Sequence, residues 1–531
     1  VPEVEAVDTS LRVVIVKPSK YAVDGSVERF RWGFMPNATL PYVRSMTPSQ
    51  LGDVPLDIYT VDEYVHTDLR YLSLLRGSRE CRTLVALVGV QSHQFHRALD
   101  LAAYARQAGC MAVIGGPHAM TCDTSPLHGR GVSFALTEAE LIWPQILQDA
   151  SRGELRLVYG QGQRWQQDLQ SPTIVPPPRQ DFNRYIHPML GLYPARGCPF
   201  ICSFCSVIKI AGRRIRSQSI ATTIASLRAA KSAGVRLIMF TSDNFNKYPE
   251  AEALLEAMVE ERLQLPFFVQ CDTQIGRQDR LVALLAKAGC FQVFVGAESF
   301  DRQTLLTARK GQNRPEKYRE IVQLFREHGI GSHFSNIIGF PQQTAPEIDE
   351  HLQTLRALDP TSASFYVLCP IPGTDQYDDF MAQGLITEKN LDRFDTQSLT
   401  WRHPHFSRQQ LARLLFDCYR KFDSLPRILR HLTRSARPSG DMAMSLFNRY
   451  CAWRRLHPMS GGVMRVRRDS VRDYLTLRRD AFGFEQAPLP RSLALPPADA
   501  ALTPLRPDAR DAQRSQQVRG AAASVPLGNG R

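Results

Sequence analysis

The chain has 531 residues, 43% of them hydrophobic and 22% charged, and a formal net charge of +13. That profile belongs to a globular protein of several domains with a sizeable core, and it excludes collagen-like and low-complexity chains. No apolar run reaches the roughly 18–20 residues that span a bilayer, and Val1–Thr9, with Glu3, Glu5 and Asp8, does not read as a signal peptide, so a cytoplasmic location is expected.

In chain order, short apolar strands are expected at Arg12–Val16, Leu56–Thr60, Thr83–Val90, Cys110–Ile114 and Val132–Leu136. Helices are expected at Phe95–Gln107 and Glu138–Ala150. Strands alternating with helices predict an α/β, doubly wound, Rossmann-like domain with a parallel sheet over residues 1–160. Residues 161–184 are polar and proline-rich and read as a linker. Residues 185–375 repeat a longer strand–helix unit. Strands are expected at Leu192–Arg196, Val235–Thr241, Phe267–Asp272, Gln292–Ala297, His333–Ile338 and Ala363–Leu368, with helices between them. Six such units predict a partial (β/α)6 barrel, whose chemistry sits at the carboxyl ends of its strands. Residues 376–485 read as mainly helical, with Ser407 capping a helix to about Phe422. Residues 486–531 are aperiodic and read as a disordered tail.

Between Pro426 and Asp480 there are thirteen Arg and no Lys against four Asp, a local charge of +9. A solvated helical surface is the plain reading, and an anionic partner or membrane surface the alternative. Aromatic residues are sparse there, so nucleic acid is not expected as a partner.

Eleven cysteines are present, eight of them scattered singly. The other three, Cys198, Cys202 and Cys205, spell CxxxCxxC just after the first expected barrel strand. Thiolates suit iron–sulfur clusters and zinc. A structural zinc would need a fourth ligand, and no second cysteine pair supplies one. Three thiolates on a four-iron cube leave one iron open to a chelating small molecule.

This motif ahead of a six-unit barrel resembles the radical S-adenosylmethionine (SAM) superfamily. The resemblance implies a [4Fe–4S] cluster on the three cysteines and SAM chelated to the open iron. Reductive cleavage of SAM would yield a 5′-deoxyadenosyl radical that takes a hydrogen atom from substrate. It also implies SAM contacts from Phe204 beside the adenine, from Asp243 and Asn244 near the amino group, from Glu298, and from Ile338 and Gly339 against the adenine. For Asp243 and Asn244 an Asx turn is the competing reading, and for Glu298 a solvated loop acid. Lys310 and Gln312 could reach the SAM carboxylate, but surface exposure is expected.

The N-terminal domain is similar to cobalamin-binding domains of that superfamily, in the branch that includes tetrapyrrole cyclases and hopanoid-modifying enzymes. The resemblance rests on Ser92 and His93 at one strand end, Gly115-Gly116-Pro117-His118 at the next, and Glu138 in Thr137-Glu138-Ala139-Glu140. It implies a corrinoid lying over the carboxyl edge at the switch point, with glycines admitting its approach. The Asp-x-His-x-x-Gly signature is absent, so no histidine is expected on the lower cobalt face. Methylation of an unactivated carbon in a small-molecule or lipid substrate is the expected activity, fed by an electron donor such as flavodoxin or ferredoxin. Oxidative cyclisation, ring contraction or rearrangement is the rival, and a non-catalytic cobalamin- or metal-binding regulator a third reading. Cys271 and Cys369 could donate a hydrogen atom to a product radical, with a buried apolar cysteine as the competing reading, and Tyr366 and Tyr377 could line the substrate cavity, with core packing as the alternative. Substrate and oligomeric state stay open.

Overall fold

Alternate residues of the first strand, Ser10–Lys17, point to opposite sides of a sheet, and both sides are apolar. Leu11, Val13 and Ile15 pack with Leu84, Ala86, Trp143 and Ile146 on one face. Val14 and Val16 pack with Val85, Leu87, Leu101 and Phe134 on the other. In the computed structural model, which describes residues 10–493 apart from 79–80, 164, 166–168, 435–436 and 459–461, this strand lies inside a seven-stranded sheet. The order is Gln50–Leu51, Val54–Asp62, Ser10–Lys17, Cys81–Leu87, Met111–Gly115, Ser133–Ala135 and Val158–Tyr159. All pairs are parallel except the outermost, Gln50–Leu51 with Val54–Asp62. Strand order reverses at Ser10–Lys17, as in flavodoxin-like doubly wound folds. Helices Phe95–Gln107 and Ala139–Arg152 cover the two faces.

The second sheet has six parallel strands in sequence order: Met189–Leu192, Leu237–Phe240, Phe267–Cys271, Cys290–Glu298, Gly331–Ile338 and Ser362–Val367. Helices Ile220–Ala233, Ala251–Glu260, Asp279–Ala288, Tyr318–Glu327 and Ala345–Leu358 return between them. The partial barrel and its rhythm are as expected, but the first strand is displaced. It ends at Leu192, because Pro194 has no N–H for the ladder. Ala195–Arg196 instead forms a separate antiparallel pair with Arg216–Ser217.

The stretch read as a linker packs against the barrel, burying Ile174 and Phe182 in its core, and Arg179–Phe182 is a short helix. Helices Arg408–Phe422, Leu425–Arg434, Pro438–Arg454 and Leu475–Phe482 make up most of the C-terminal region. A strand at Gly462–Arg465 returns to pair with Phe30–Gly33. Residues 486–492, read as the start of a disordered tail, follow the N-terminal domain instead: Ala487 N donates to His96 Nε2 at 2.9 Å and the Tyr377 hydroxyl to Pro490 O at 3.1 Å. The remainder of that tail, 494–531, lies outside the described residues. Among the described residues no helix is long and apolar enough to cross a membrane.

Part of the arginine-rich segment is buried rather than solvated, a correction to the plain reading of its charge. Arg478 is 1% exposed, with Nε 2.6 Å from Asp100 Oδ1. Beside it, Glu63 accepts from Arg29 Nη2 at 2.7 Å and Arg97 Nη2 at 2.6 Å, and Asp469 pairs with both arginines. Burial would raise the Glu63 pKa, but Arg97 and Arg29 outweigh it and hold the group at about 2, against an ordinary 4.5. A carboxyl lowered in the folded state stabilises above its unfolded pKa and loses that contribution as pH falls toward the folded value. Glu63→Gln, which strands two buried guanidinium groups, should cost about 3–5 kcal/mol at pH 7. The difference in thermal midpoint between wild type and variant should shrink between pH 4.5 and pH 2; calorimetry across that range is the check.

Candidate radical SAM site

The loop after Arg196 carries the three cysteines to the carboxyl ends of the barrel strands. Gly197 starts it at φ 106°, where a Cβ would come within 2.3 Å of Arg214 O, so only glycine fits. Its N–H donates to Asp243 Oδ2 at 2.7 Å. Asp243 is thus a brace for the cysteine loop, and burial pushes its carboxyl pKa up. Arg196 and Arg216, on the short paired strands at the base of the loop, converge on Glu138 of the N-terminal domain. Arg216 Nη1 and Nη2 lie 2.7 and 2.8 Å from its two oxygens, and Arg196 Nη1 lies at 3.2 Å. Arg196 also reaches Glu140 at 2.9 Å and lies over the rings of Tyr42 and Tyr193.

All three cysteines are free thiols. Burial raises the pKa of Cys198 and carries that of Cys205 to about 12. Asn244 Nδ2 is 3.8 Å from Cys198 Sγ and Gln312 Nε2 is 3.6 Å from Cys202 Sγ. Among the described residues no three His, Cys, Asp or Glu side chains are gathered closely enough to hold a single metal ion. A cube ligated at three corners spreads its thiolates wider than a zinc tetrahedron does, so this donor set fits a cluster better than zinc.

Around the triad stands a ring of polar groups from successive strand ends. Asn244 Nδ2 donates to Asp272 Oδ2 at 2.9 Å. At the end of the fourth strand Glu298 takes a left-handed conformation, φ 65°, where the register with the fifth strand shifts. Strain of this kind marks sites where a side chain is aimed. Its carboxylate is held by Lys310 Nζ and Ser335 Oγ, each at 2.9 Å. Lys310 is 8% exposed, contrary to the surface position expected from sequence. Burial would lower its pKa, but Glu298 prevails and holds it above the ordinary lysine value. Its ammonium lies 5.7 Å from the Phe204 ring centroid. Gln312 likewise turns inward to the cysteines. Lys310 and Gln312 were set aside because they lie in a polar loop with no period, and Asp272 and Ser335 were passed over as parts of expected strands; the short spacing of Lys310 and Gln312 behind Glu298 was the available signal.

Two expected SAM residues are placed differently. Strand alternation sends Ile337 to the lumen side with Ser335 and His333, and Ile338 to the outer side, fully buried. Gly339, at φ 79°, makes room for Leu411, since a Cβ there would come within 2.7 Å of Leu411 Cδ2; a helix, not a ligand, requires that glycine. Inside the barrel, His333 Nε2 is buried without a partner among the described residues, an orphan that a polar ligand could satisfy. Cys271 packs in the barrel core and Cys369 and Tyr377 in the N-terminal core. Tyr366 falls on the lumen side, in register with Ile337.

In the N-terminal domain a cavity of about 240 Å³ opens toward the barrel. It is lined by Ala86, Val88, Val113, Ile142 and Trp143 within, and by Gly115, Gly116, Pro117, Glu138, Arg196 and Asp243 nearer the cysteine loop. The other expected cobalamin residues point elsewhere. His118 is buried, its Nδ1 3.0 Å from Ser92 Oγ and its ring 3.9 Å from that of Phe95; burial drives its pKa down to about 3. Burial likewise holds His93 at about 3, within electrostatic reach of Lys20 and Asp395. The crevice at the switch point itself is bridged by Lys17, whose ammonium binds Gly89 O and Gln94 Oε1. The cavity therefore lies further along the sheet edge than the strand order suggested. Gly116 serves the backbone: a Cβ there would lie 2.2 Å from Val90 N.

Residues 192–355, from the end of the first barrel strand into the helix after the fifth, match the model of the radical SAM superfamily. The chain carries a radical SAM domain. The chain is 26% identical over 338 residues to an uncharacterized methyltransferase of Pyrococcus horikoshii, covering 60% of this chain and 73% of that protein. To the bacteriochlorophyllide d C-8(2)-methyltransferase of Chlorobaculum tepidum it is 25% identical over 383 residues, 68% of this chain and 79% of the relative. Among solved structures, the cobalamin-dependent SAM radical enzyme OxsB with aqua-cobalamin and SAM bound superposes with a TM-score of 0.57 at 14% identity, covering 84% of this chain and 72% of that one. The shared fold includes the N-terminal sheet as well as the barrel. A radical SAM domain works with a [4Fe–4S] cluster and SAM.

The tie at Glu138 joins the two sheets where the cysteine loop begins. Glu138→Ala should destabilise the protein by about 3–5 kcal/mol, because two largely buried arginines lose their shared counter-ion. It should also lower iron and sulfide retained after anaerobic reconstitution, relative to Glu140→Ala. Equal retention in both variants would mean that the tie does not govern the loop.

Proposed function

We propose that the protein is a cobalamin-dependent radical SAM C-methyltransferase. Cys198, Cys202 and Cys205 would ligate the cluster, and the observation that carries this is that one loop sets the three free thiols, Cys202 buried and the other two half-buried, beside the ring of Asn244, Asp272, Glu298, Lys310 and Gln312. When bound, cluster and SAM supply a hydrogen-abstracting radical and cobalamin supplies the methyl group. The chain's own residues hold and orient. Lys310 and Gln312 offer donors to a carboxylate, and Glu298 and Asp272 offer acceptors to an ammonium or a ribose. Phe204 presents a ring edge beside the lysine, and Ile337 rather than Ile338 is the apolar contact from the fifth strand.

For cobalamin, the support is the apolar cavity between the sheet and the helices Thr39–Met46 and Ala139–Arg152. Its walls suit a flat heteroaromatic group, while its mouth lies beside Asp243 and Arg196 at the root of the cysteine loop. No histidine lines it. Methylation is favoured over cyclisation by the names of the two relatives, both methyltransferases, one of a tetrapyrrole and one without a stated substrate. The reading places the protein in the cytoplasm, where its cysteines stay reduced and flavodoxin or ferredoxin can deliver the electron to the cluster for a reaction on a small-molecule substrate.

Anaerobically purified protein made with cobalamin supplied should show corrinoid and cluster absorption together. With dithionite and SAM it should form 5′-deoxyadenosine, and the Cys198→Ala/Cys202→Ala/Cys205→Ala variant should form none while keeping its fold by circular dichroism. With substrate, product mass should rise by one methyl group; deoxyadenosine together with a product of unchanged carbon count would replace methylation by cyclisation or rearrangement. Lys310→Met should raise the KM for SAM about tenfold or more, the loss of one charge-assisted contact, with cluster content unchanged.

A further inference from the structure

The largest cavity described lies away from the cysteines, where the C-terminal helices meet the N-terminal domain. It holds about 1200 Å³, above the usual range for small-molecule sites of roughly 300–1,000 Å³. Its apolar wall includes Phe30, Phe416 and Trp453. Its floor includes buried His457, whose ring lies 4.9 Å from that of Tyr366 on the last barrel strand. The cavity therefore backs onto the barrel lumen through one pair of rings in tilted contact.

The charge around it is uneven. Arg393 is spent on the carbonyls of Tyr21 and Ala22, Arg408 on Glu388, Arg420 on Asp417 and Arg465 on Asp24. Arg413, Arg454 and Arg455 also line the cavity and have no acidic partner among the described residues. A second cavity of about 460 Å³ shares Arg454 and Arg465 and adds Arg467; Arg467, like Arg465, is paired with Asp24, so the unpaired charge is that of Arg413, Arg454 and Arg455. Guanidinium groups left without carboxylates around an apolar hollow match a molecule with an apolar body and anionic groups at its end.

We infer that this cavity admits the substrate, and that the substrate is an amphiphilic acid: an apolar body bearing carboxylate or phosphate, its anionic end held by Arg413, Arg454 and Arg455. The inference rests on the proposed function in taking the barrel as the reaction chamber. It deepens that reading by assigning the substrate class.

The test uses full-length reconstituted protein and two fluorescent probes that differ by one sulfonate, 8-anilinonaphthalene-1-sulfonate and N-phenyl-1-naphthylamine. The anionic probe should bind at one site, about tenfold or more tighter than the neutral one. In Arg413→Gln/Arg454→Gln/Arg455→Gln the anionic probe should weaken by about tenfold or more, with the neutral probe unchanged within about twofold. Dodecanoate, dodecyl phosphate or both should displace the anionic probe from wild type, the effective competitor naming the anion, while dodecanol should not. Equal binding of the two probes, displacement by dodecanol, or an unaltered triple variant would each overturn the inference. Iron content and dithionite-driven deoxyadenosine formation are measured on the same samples. A wild type that binds the probes as expected but never splits SAM would remove the proposed function and leave the anion-binding cavity standing. A wild type that splits SAM but fails the probe test would do the reverse.

Discussion

One carboxylate, Glu138, has two guanidinium partners from the other half of the fold, and the relation between the two sheets depends on it. Arg196 and Arg216 belong to the short paired strands that hold the ends of the cysteine loop, while Glu138 is the N-cap residue of the helix Ala139–Arg152 on the N-terminal sheet. An ion trio out of water is costly unless every member is satisfied. Here the bidentate geometry, Glu140, the rings of Tyr42 and Tyr193 and the nearby Asp243 together satisfy it. Any rotation of one sheet against the other would strand a buried charge. The cavity in the N-terminal domain and the thiols of the barrel are therefore held in fixed register by electrostatics as well as by packing.

Within the barrel the same economy recurs on a smaller scale. Glu298 is tied to Lys310 and Ser335, and Asn244 to Asp272, so each polar group of the ring has a partner before any ligand arrives. Pre-organised groups need little rearrangement on binding, which is what a site handling a reactive intermediate requires. Their pairing also explains why the inward lysine survives burial: the carboxylate beside it offsets the loss of water.

Much of this was legible in the sequence for a physical reason. Period-2 and period-3.6 burial makes the strands and helices visible, and a thiolate motif has few alternative uses. What stayed hidden depended on contacts distant in sequence. Gly116 lines the cavity of the N-terminal domain, and its missing side chain also makes room for the backbone of Val90, while that of Gly339 makes room for Leu411. His118 was grouped with the strand-end turn, but Phe95 and Ser92 enclose it. Lys310 looked like a loop lysine because its spacing behind Glu298 fits no helix or strand period. Arg478 looked solvated because Asp100, its counter-ion, lies 378 residues away.

That last separation bears on how the chain comes to be folded during synthesis. Arg97 and Asp100 sit in the helix Phe95–Gln107 over the N-terminal sheet; Glu63 already pairs with Arg97, but Asp469 adds a second acid to it and Arg478 supplies the charge opposite Asp100, and Gly462–Arg465 closes the small sheet begun by Phe30–Gly33. Emerging from the ribosome, the amino-terminal domain can collapse around its apolar strands, yet Asp100 must wait for the segment around residue 478 before its charge is neutralised. The early form of the domain is a hydrated, loosened version of the final one, and the carboxyl-terminal arm acts as the latch that completes the first domain last.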